Sequence, residues 1–356
     1  MAVSNAVVPA VDRKPWKVGE VGTPAGIVPQ VATYLDMVDR LGAVKVRLGL
    51  RRMRYAVEPG LYAVGSPTAE SPVFVSSNYK LSFDHLRREL EGIDGWIMVI
   101  DTKGINVWCA AGKGTFGTEE IVHRIEITRL SEIVSHRRII VPQLGAPGVA
   151  AHEVRRRSSF RVIYGPVRAR DIPGFLDAGM KTTPDMRRVI FNIGDRLVLV
   201  PMELVQWIRY AFFAAVVLFL LTGLSRNGYV FPGLAGGREV LLLFLAFLAS
   251  GALVPVFLPW LPGRALSWKG MVMGLLLAAV LVIVKLIPSA RIAGQLETAA
   301  WVLLMPAIGA FMAMNFTGAT TYTSLSGVKK EMHFAVPSQV VVAVLGFALW
   351  MVARFF

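Results

Sequence analysis

The chain has 356 residues, of which 54% are hydrophobic and only 17% charged, with 38 Lys and Arg against 24 Asp and Glu for a net charge of +14. Globular chains carry about 25% charge, so a disordered chain and an ordinary soluble enzyme are both excluded. The single cysteine rules out an intramolecular disulfide, a CxxC redox pair and a cysteine-rich iron–sulfur site, and leaves any thiol chemistry to Cys109.

Charge is unevenly spread. Residues 1–204 hold 28 basic and 21 acidic side chains, and residues 205–356 hold 10 and 3. The first part reads as water-soluble and the second as membrane. Residues 1–60 read as an N-terminal extension. Residues 1–30 lack a continuous apolar core and contain Pro9, Pro15, Pro24 and Pro29, so no secretory signal is expected. Residues 27–46 are expected to form an amphipathic helix. Residues 47–55 (RLGLRRMRY) carry four arginines. They could touch acidic lipid heads, although a solvated face is the preferred reading.

Residues 61–185 alternate between strand and helix. Strands are expected at 72–76 (PVFVS), 96–100 (WIMVI), 138–141 (RIIV) and 161–164 (RVIY). Helices are expected at 82–91 with Ser82 as N-cap, at 118–130 with Thr118 as cap, at 147–155 and at 172–178. Apolar strands alternating with helices argue for a Rossmann-like α/β domain, a parallel sheet covered on both faces. Ligands of such sheets bind beyond the carboxyl ends of the strands. The residues there are Ser76, Ser77, Asn78 and Tyr79, then the 101–109 segment, then Gln143, Gly145 and Gly148, then Gly165 and Pro166. Each group taken singly is an ordinary turn; together they outline a candidate rim.

The segment 106–117 (NVWCAAGKGTFG) is the most informative. Asn106 can cap a short helix that Gly112 would end, with Cys109 in the first turn. There the helix dipole attracts an anionic sulfur, Lys113 adds positive charge, and a thiolate is a soft metal ligand. An inert buried cysteine is the bland alternative. The Gly-Lys-Gly-Thr stretch is not a P-loop, because Val107 and Gly114 occupy the positions that need Gly and Ser/Thr. Gly112, Gly114 and Gly117 give G-x-G-x-x-G, but a Cys-bearing turn separates them from the strand.

Residues 186–204 read as a linker. Five apolar runs follow at about 205–224, 240–260, 270–287, 299–316 and 336–352, each near the ~20 residues that span a bilayer. Pro255 and Pro259 should kink or break the second. Arg187, Arg188 and Arg196 before the first run place the N-terminal part in the cytoplasm and the C-terminus outside. Arg264 and Lys269, then Lys329 and Lys330, are expected in the cytoplasmic loops. Few charges lie inside the runs, so the five-helix part is expected to be an anchor.

The run Asn106-Val107-Trp108-Cys109-Ala110-Ala111-Gly112-Lys113 resembles, at every position, the cap-helix signature of the HgcA family, the corrinoid proteins of microbial mercury methylation. A cytoplasmic corrinoid domain followed by five membrane spans agrees with that family. The soluble part is also similar to the corrinoid iron–sulfur protein family. The resemblance implies a multi-pass protein of the inner, cytoplasmic membrane with a cobalamin-type corrinoid at the rim, Cys109 being the lower axial ligand of cobalt. It implies a methyltransferase that passes methyl from methyl-Co(III) to Hg(II), forming methylmercury. A thiolate ligand favours release of methyl with its electrons, which an electrophile such as Hg(II) requires. Asn106 would cap the turn and Trp108 would pack beside the corrin ring. Ala110 and Ala111 would leave room for the macrocycle. Lys113, Gly114, Thr115 and Gly117 would contact its amide side chains, with Val107 and Gly112 completing the turn. The implied partners are a ferredoxin-like 4Fe-4S protein, HgcB, and a methyl-folate methyltransferase as donor; no nucleic acid is expected. Two other readings stay open: a membrane-anchored corrinoid carrier for one-carbon metabolism with another acceptor, and a transporter or sensor with a regulatory α/β domain.

Overall fold

The computed structural model describes residues 14–287, 291–316, 321 and 325–356. Residues 1–13 of the expected N-terminal extension, Pro9 among them, lie outside the described residues. The chain divides into two compact units, one of Met1–Val46 with Leu50–Val189, the other of Arg47–Gly49 with Ile190–Phe356.

The first unit is built on a seven-stranded sheet. Its elements are β1 (Lys17–Thr23), β2 (Gly26–Val31), α1 (Met37–Arg47), β3 (Gly60–Val64), β4 (Val73–Ser77), α2 (Lys80–Arg88), β5 (Gly95–Ile100) and α3 (Val107–Lys113). Then come α4 (Thr118–Ile127), α5 (Leu130–Ile133), β6 (Arg138–Val141), α6 (Ala151–Ser158), β7 (Arg161–Tyr164) and α7 (Ile172–Asp177). The strand order is β1-β2-β3-β5-β4-β6-β7. β5, β4, β6 and β7 run parallel, and β3 pairs antiparallel with β5. β2 is parallel to β3, and β1 closes the edge as an antiparallel hairpin.

The four parallel strands are the four apolar runs, and their alternation feeds two cores. Val73, Val75, Trp96, Met98 and Ile100 pack with α3 and α4 residues on one face. Phe74, Ile97, Val99 and Ile140 pack with Phe83, Leu86, Ile172 and Phe175 on the other. A strand buried on both faces needs no polar residue, which is why these runs read continuously apolar.

Several local expectations are corrected. Residues 27–46 are not one helix. Val28 and Val31 are buried in β2, and the helix starts at Met37. α2 starts at Lys80 rather than after Ser82, because Lys80 Nζ bonds both Asp84, one turn on, and Asp39. Gly117, not Thr118, is the cap of α4, and the Thr118 hydroxyl accepts from the Ala150 N–H instead (2.8 Å). The 118–130 helix breaks where Arg129 turns left-handed (φ 49). The 147–155 helix is split into a 3₁₀ turn at Gln143–Gly148 and α6.

A buried ion network, silent in the sequence, holds α1 and α2 together. Asp39 contacts Lys80 and Arg87 at 2.5 Å each, and Asp84 contacts the same two cations at 2.7 and 2.8 Å. Arg87 is fully buried and also donates to the carbonyls of Ala32 and Tyr34. Burial alone would raise the Asp39 pKa, but the Lys80 hydrogen bond and the Lys80 and Arg87 charges hold it below the ordinary carboxylate value. Asp39→Asn is therefore expected to cost about 3 kcal/mol at neutral pH, because buried Arg87 is left under-compensated. A carboxyl with a lowered folded pKa stabilises above its unfolded value and loses that contribution as pH falls through the folded one. Melting curves of the two proteins should thus differ at pH 7 and converge below about pH 4.

The second unit contains α8 (Ile193–Leu197), α9 (Val200–Thr222), a small hairpin of β8 (Leu224–Ser225) and β9 (Gly228–Tyr229), and α10 (Gly233–Leu248). These are followed by α11 (Val254–Phe257), α12 (Leu266–Ile283), α13 (Ile292–Asn315) and α14 (Leu325–Ala353). Five stretches among the described residues are long and apolar enough to cross a membrane: Ile193–Thr222, Gly233–Phe257, Leu266–Ile283, Ile292–Asn315 and Gly327–Ala353. Each overlaps one of the five apolar runs, but the first begins at Ile193, inside the stretch expected to be a linker, and the last at Gly327, ahead of the expected 336. The break near Pro255 takes the form of a π turn at Ala249–Leu253, since proline has no N–H for the carbonyl one turn back. Lys329 and Lys330 lie inside α14 rather than in a loop. Next to them, Glu331 accepts from the N–H groups of Leu266 and Ser267 and so caps α12.

Helices α12 and α13 cross backbone on backbone. A Cβ at Gly270 would sit 2.0 Å from the Gly309 carbonyl, and one at Gly274 would sit 2.5 Å from that of Met305. Small residues four apart allow this approach. At one end of the helices, Glu239 is fully buried and accepts from the indoles of Trp301 (2.9 Å) and Trp350 (2.8 Å). Arg238 and Arg354 pair with Glu239 and Glu297, giving two positive and two negative side chains. This balanced knot leaves no local signal in the sequence, because its members are up to 116 residues apart (Arg238 to Arg354).

Candidate functional site around Cys109

Asn106 begins the site. Its side chain accepts from the Cys109 N–H at 2.9 Å, and α3 follows as a helix of seven residues. The helix ends on Gly114, which is left-handed at φ 79, and not on Gly112. Two faces result from helical spacing. Val107, Ala110 and Ala111 are buried in the core. Trp108 is 36% exposed, Cys109 is half-buried, and Gly112, Lys113 and Gly114 are exposed. Ala110 and Ala111 therefore face the protein, and the room they leave is taken by backbone. A Cβ on Gly148 would lie 2.1 Å from the Phe116 carbonyl oxygen and 3.2 Å from Ala111 Cα. Gly145 packs on the Phe116 ring in the same way. Gly145 and Gly148 thus seat the Cys-bearing helix, and Gln143 is half-buried in the same 3₁₀ turn.

Asn78 positions the loop that enters α3. Its Oδ1 accepts from the N–H groups of Thr102 (3.1 Å) and Gly104 (3.0 Å) and lies 2.8 Å from the Thr102 hydroxyl. Its Nδ2 donates to Asp101 (3.2 Å). Lys103 and Gly104 are both left-handed (φ 59 and 70), so this loop turns tightly out of β5. Lys103 holds Asp101 through both its backbone N–H and its ammonium, and despite the opposing pull of burial the Asp101 carboxyl stays below its usual pKa. Ser76 and Ser77 are buried at the end of β4, and the Ser77 hydroxyl has no hydrogen-bond partner among the described residues. Thr115 is half-buried just after the helix, its hydroxyl 3.4 Å from the Ala110 carbonyl, and Gly117 packs close to the Gly114 carbonyl.

Beside this helix is a cavity of about 300 Å³ at the carboxyl ends of the parallel strands. Its wall is Asn106, Val107 and Trp108 from the α3 turn, Ser76 from β4, Gly165 and Pro166 after β7, and His85 and Leu86 from α2. The rim residues Ser76, Gly165 and Pro166 thus meet Asn106–Trp108. Asn78, Gly145 and Gly148 support the helix from behind. His85, Val167 and Ile172 were missed as lining residues; Ser82, His85 and Leu86, spaced three and four apart, are the signal that one α2 face looks onto the cavity. Trp108 lines the cavity and is not core.

The cap is testable alone. Asn106→Ala removes the acceptor for the Cys109 N–H and is expected to cost about 1 kcal/mol. Amide exchange at Cys109 should quicken while β4 and β5 stay protected.

A model of the CO dehydrogenase/acetyl-CoA synthase delta subunit family matches residues 50–176. The chain is similar to the acetyl-CoA decarbonylase/synthase complex gamma subunit of Archaeoglobus fulgidus, 32% identical over 123 residues covering 34% of this chain and 26% of the relative. It is 34% identical to the Methanopyrus kandleri gamma subunit, with the same coverage. It is 38% identical over 97 residues to that of Methanocaldococcus jannaschii, covering 27% and 20%. The chain therefore spans about a quarter or less of the length of these relatives.

Proposed function

We propose that the α/β unit binds a cobalamin-type corrinoid on the outer face of α3, with Cys109 as the lower ligand of cobalt, and that the protein is a membrane-anchored methyltransferase acting on Hg(II). The observation that carries this reading is the placement of Cys109. It sits half-buried in the first turn of α3, which follows the carboxyl end of β5, with its N–H held by Asn106. A single thiol is a donor set that would suit a metal already held by a macrocycle. The outer face suits a flat ring: a Cβ at Gly112 or Gly114 would meet nothing within 4 Å, and Trp108 stands exposed beside Cys109. The orphaned Ser77 hydroxyl is a polar group left over at the same sheet edge.

When bound, the corrinoid would supply a metal able to carry methyl, and the Cys109 thiolate, which would hold it, would favour release of that methyl to an electrophile. The chain's own residues do the rest. Asn106 fixes the helix turn, Gly145 and Gly148 let α3 seat closely, and Asn78 shapes the entry loop. Trp108, exposed beside Cys109 and at the wall of the apolar cavity, would cover one side of the ring. Lys113 and Gly114 are exposed at the helix end, where backbone and the ammonium would be available to amide groups of the ring, whereas Thr115 is half-buried and Gly117 is buried against the Gly114 carbonyl and supports the turn. Residues 61–185 would form the corrinoid-binding part. The five apolar helices would anchor it in the inner membrane with the α/β unit in the cytoplasm. Low-potential electrons would come from a ferredoxin-like 4Fe-4S partner and methyl from a methylated folate.

A second reading is favoured by the relatives' names: a corrinoid methyl carrier whose acceptor belongs to acetyl-CoA chemistry. Anaerobic purification followed by a visible spectrum and a mercury methylation assay with a Ti(III)-type reductant separates the two. Both require a corrinoid spectrum. Only the first gives methylmercury, and a protein that takes up no corrinoid would sink both.

A further inference from the structure

Helix α1 is amphipathic in the wrong sense for a helix on a water-facing surface. Asp39, Gly42 and Val46 face the protein, with Asp39 in the ion network and Gly42 against the Tyr55 ring. The opposite stripe is apolar and open: Met37 is 69% exposed, Leu41 52% and Val44 52%. The following turn adds Leu50 and Met53, exposed by 54% and 65%. Polar side chains would normally occupy such a face.

Cations flank this stripe on both sides. Arg40 and Lys45 are exposed on the helix, and Arg51 and Arg54 are exposed just after it. Lys45, Arg51 and Arg54 also rim an open hollow of about 880 Å³ floored by Val38, Leu41, Leu50 and Tyr55. Between Met37 and Tyr55 the one acidic residue is Asp39, which is buried and neutralised by Lys80 and Arg87. The outer face thus carries positive charge with no exposed acid.

We propose that residues 37–46 and 50–54 form an in-plane docking surface for anionic phospholipid, with the apolar stripe entering the acyl boundary and the flanking cations meeting the headgroups. An interfacial helix has this composition: apolar on one side, basic along its borders. A purely solvated face would account for the arginines but not for the five open apolar side chains. An acidic protein partner would account for the charge, yet it would leave the apolar stripe matched only by chance. The proposal rests on the reading of the five helices as a membrane anchor, since a tethered unit meets the bilayer at high effective concentration.

The test uses the full chain in lipid nanodiscs of neutral phosphatidylcholine or with about one-third phosphatidylglycerol, with hydrogen exchange followed by mass spectrometry. Exchange across 37–46 and 50–54 should be slower by about tenfold in the anionic discs, and salt near 1 M should erase the difference. The quadruple variant Arg40→Glu, Lys45→Glu, Arg51→Glu, Arg54→Glu should lose the protection, and Leu41→Ser should weaken it. Equal exchange in the two discs, or protection that appears only with an added protein, overturns the lipid surface. A chain that does not enter discs at all refutes the anchor itself, which is read separately by co-elution with lipid.

Discussion

On the proposed corrinoid reading, Cys109→Ala is expected to reduce methylmercury formation by more than the 10–100-fold that loss of an outer-shell metal partner costs, because it would remove the proposed ligand itself. The fold should survive. Cys109 lies on the outward face of α3, outside the buried clusters, and its N–H to Asn106 bond does not depend on the side chain. Melting temperature should therefore stay close to that of the parent while activity is lost. Cys109→His is the sharper comparison. Imidazole can still bind cobalt, but it is a neutral donor and pushes less electron density across the metal. Its product should hold corrinoid with an altered visible spectrum and methylate Hg(II) poorly. Robust methylmercury production by the Ala variant would remove the axial-ligand role, whatever the spectrum.

The second large effect is expected from a residue that touches no ligand. Gly148→Val places a Cβ 2.1 Å from the Phe116 carbonyl oxygen and 3.2 Å from Ala111 Cα, and neither backbone atom can rotate away. Either the 143–148 turn or α3 must move. Overpacking of this kind costs about 1–3 kcal/mol, and the upper end is expected because backbone is the obstacle. Displacing α3 also displaces Cys109, so corrinoid retention should fall together with stability. Gly112→Ala separates the two consequences. Nothing lies within 4 Å of its added Cβ, and alanine is favoured over glycine inside a helix by about 1 kcal/mol, so the protein should melt slightly higher. That methyl projects from the outer face, however, and weaker corrinoid retention in a more stable protein would mark this face as the one that receives the ring. Unchanged retention in Gly112→Ala would argue that the ring sits elsewhere.

The candidate site was legible to different depths in different residues. Asn106 as cap and Cys109 in the first turn followed from spacing, because a cap and its N–H lie within one turn of each other. The helix end did not. Gly112 and Gly114 are equally good terminators in the abstract, and the choice of Gly114 depends on Ala110 and Ala111 being drawn into the core. Asn78, Gly145 and Gly148 were identified as rim residues for belonging to the right turns. Their hydrogen bonds and close approaches show them holding the loop and helix in place.

Taken alone, the sequence determined whatever is decided by near neighbours. The continuous apolar runs of β4 to β7, the five stretches long enough to span a bilayer, and the cap at Asn106 each depend on residues within a turn or a strand of one another. The tertiary structure alone decided what depends on distant partners. β1 and β2 join the sheet through β3, the Asp39–Arg87 pair closes over 48 residues, and Glu239 finds Trp350 across 111. Such pairings leave no period in the chain. A buried charge looks like a surface charge until the fold brings its counter-ion to it, and a glycine looks like a turn until another backbone is pressed against it.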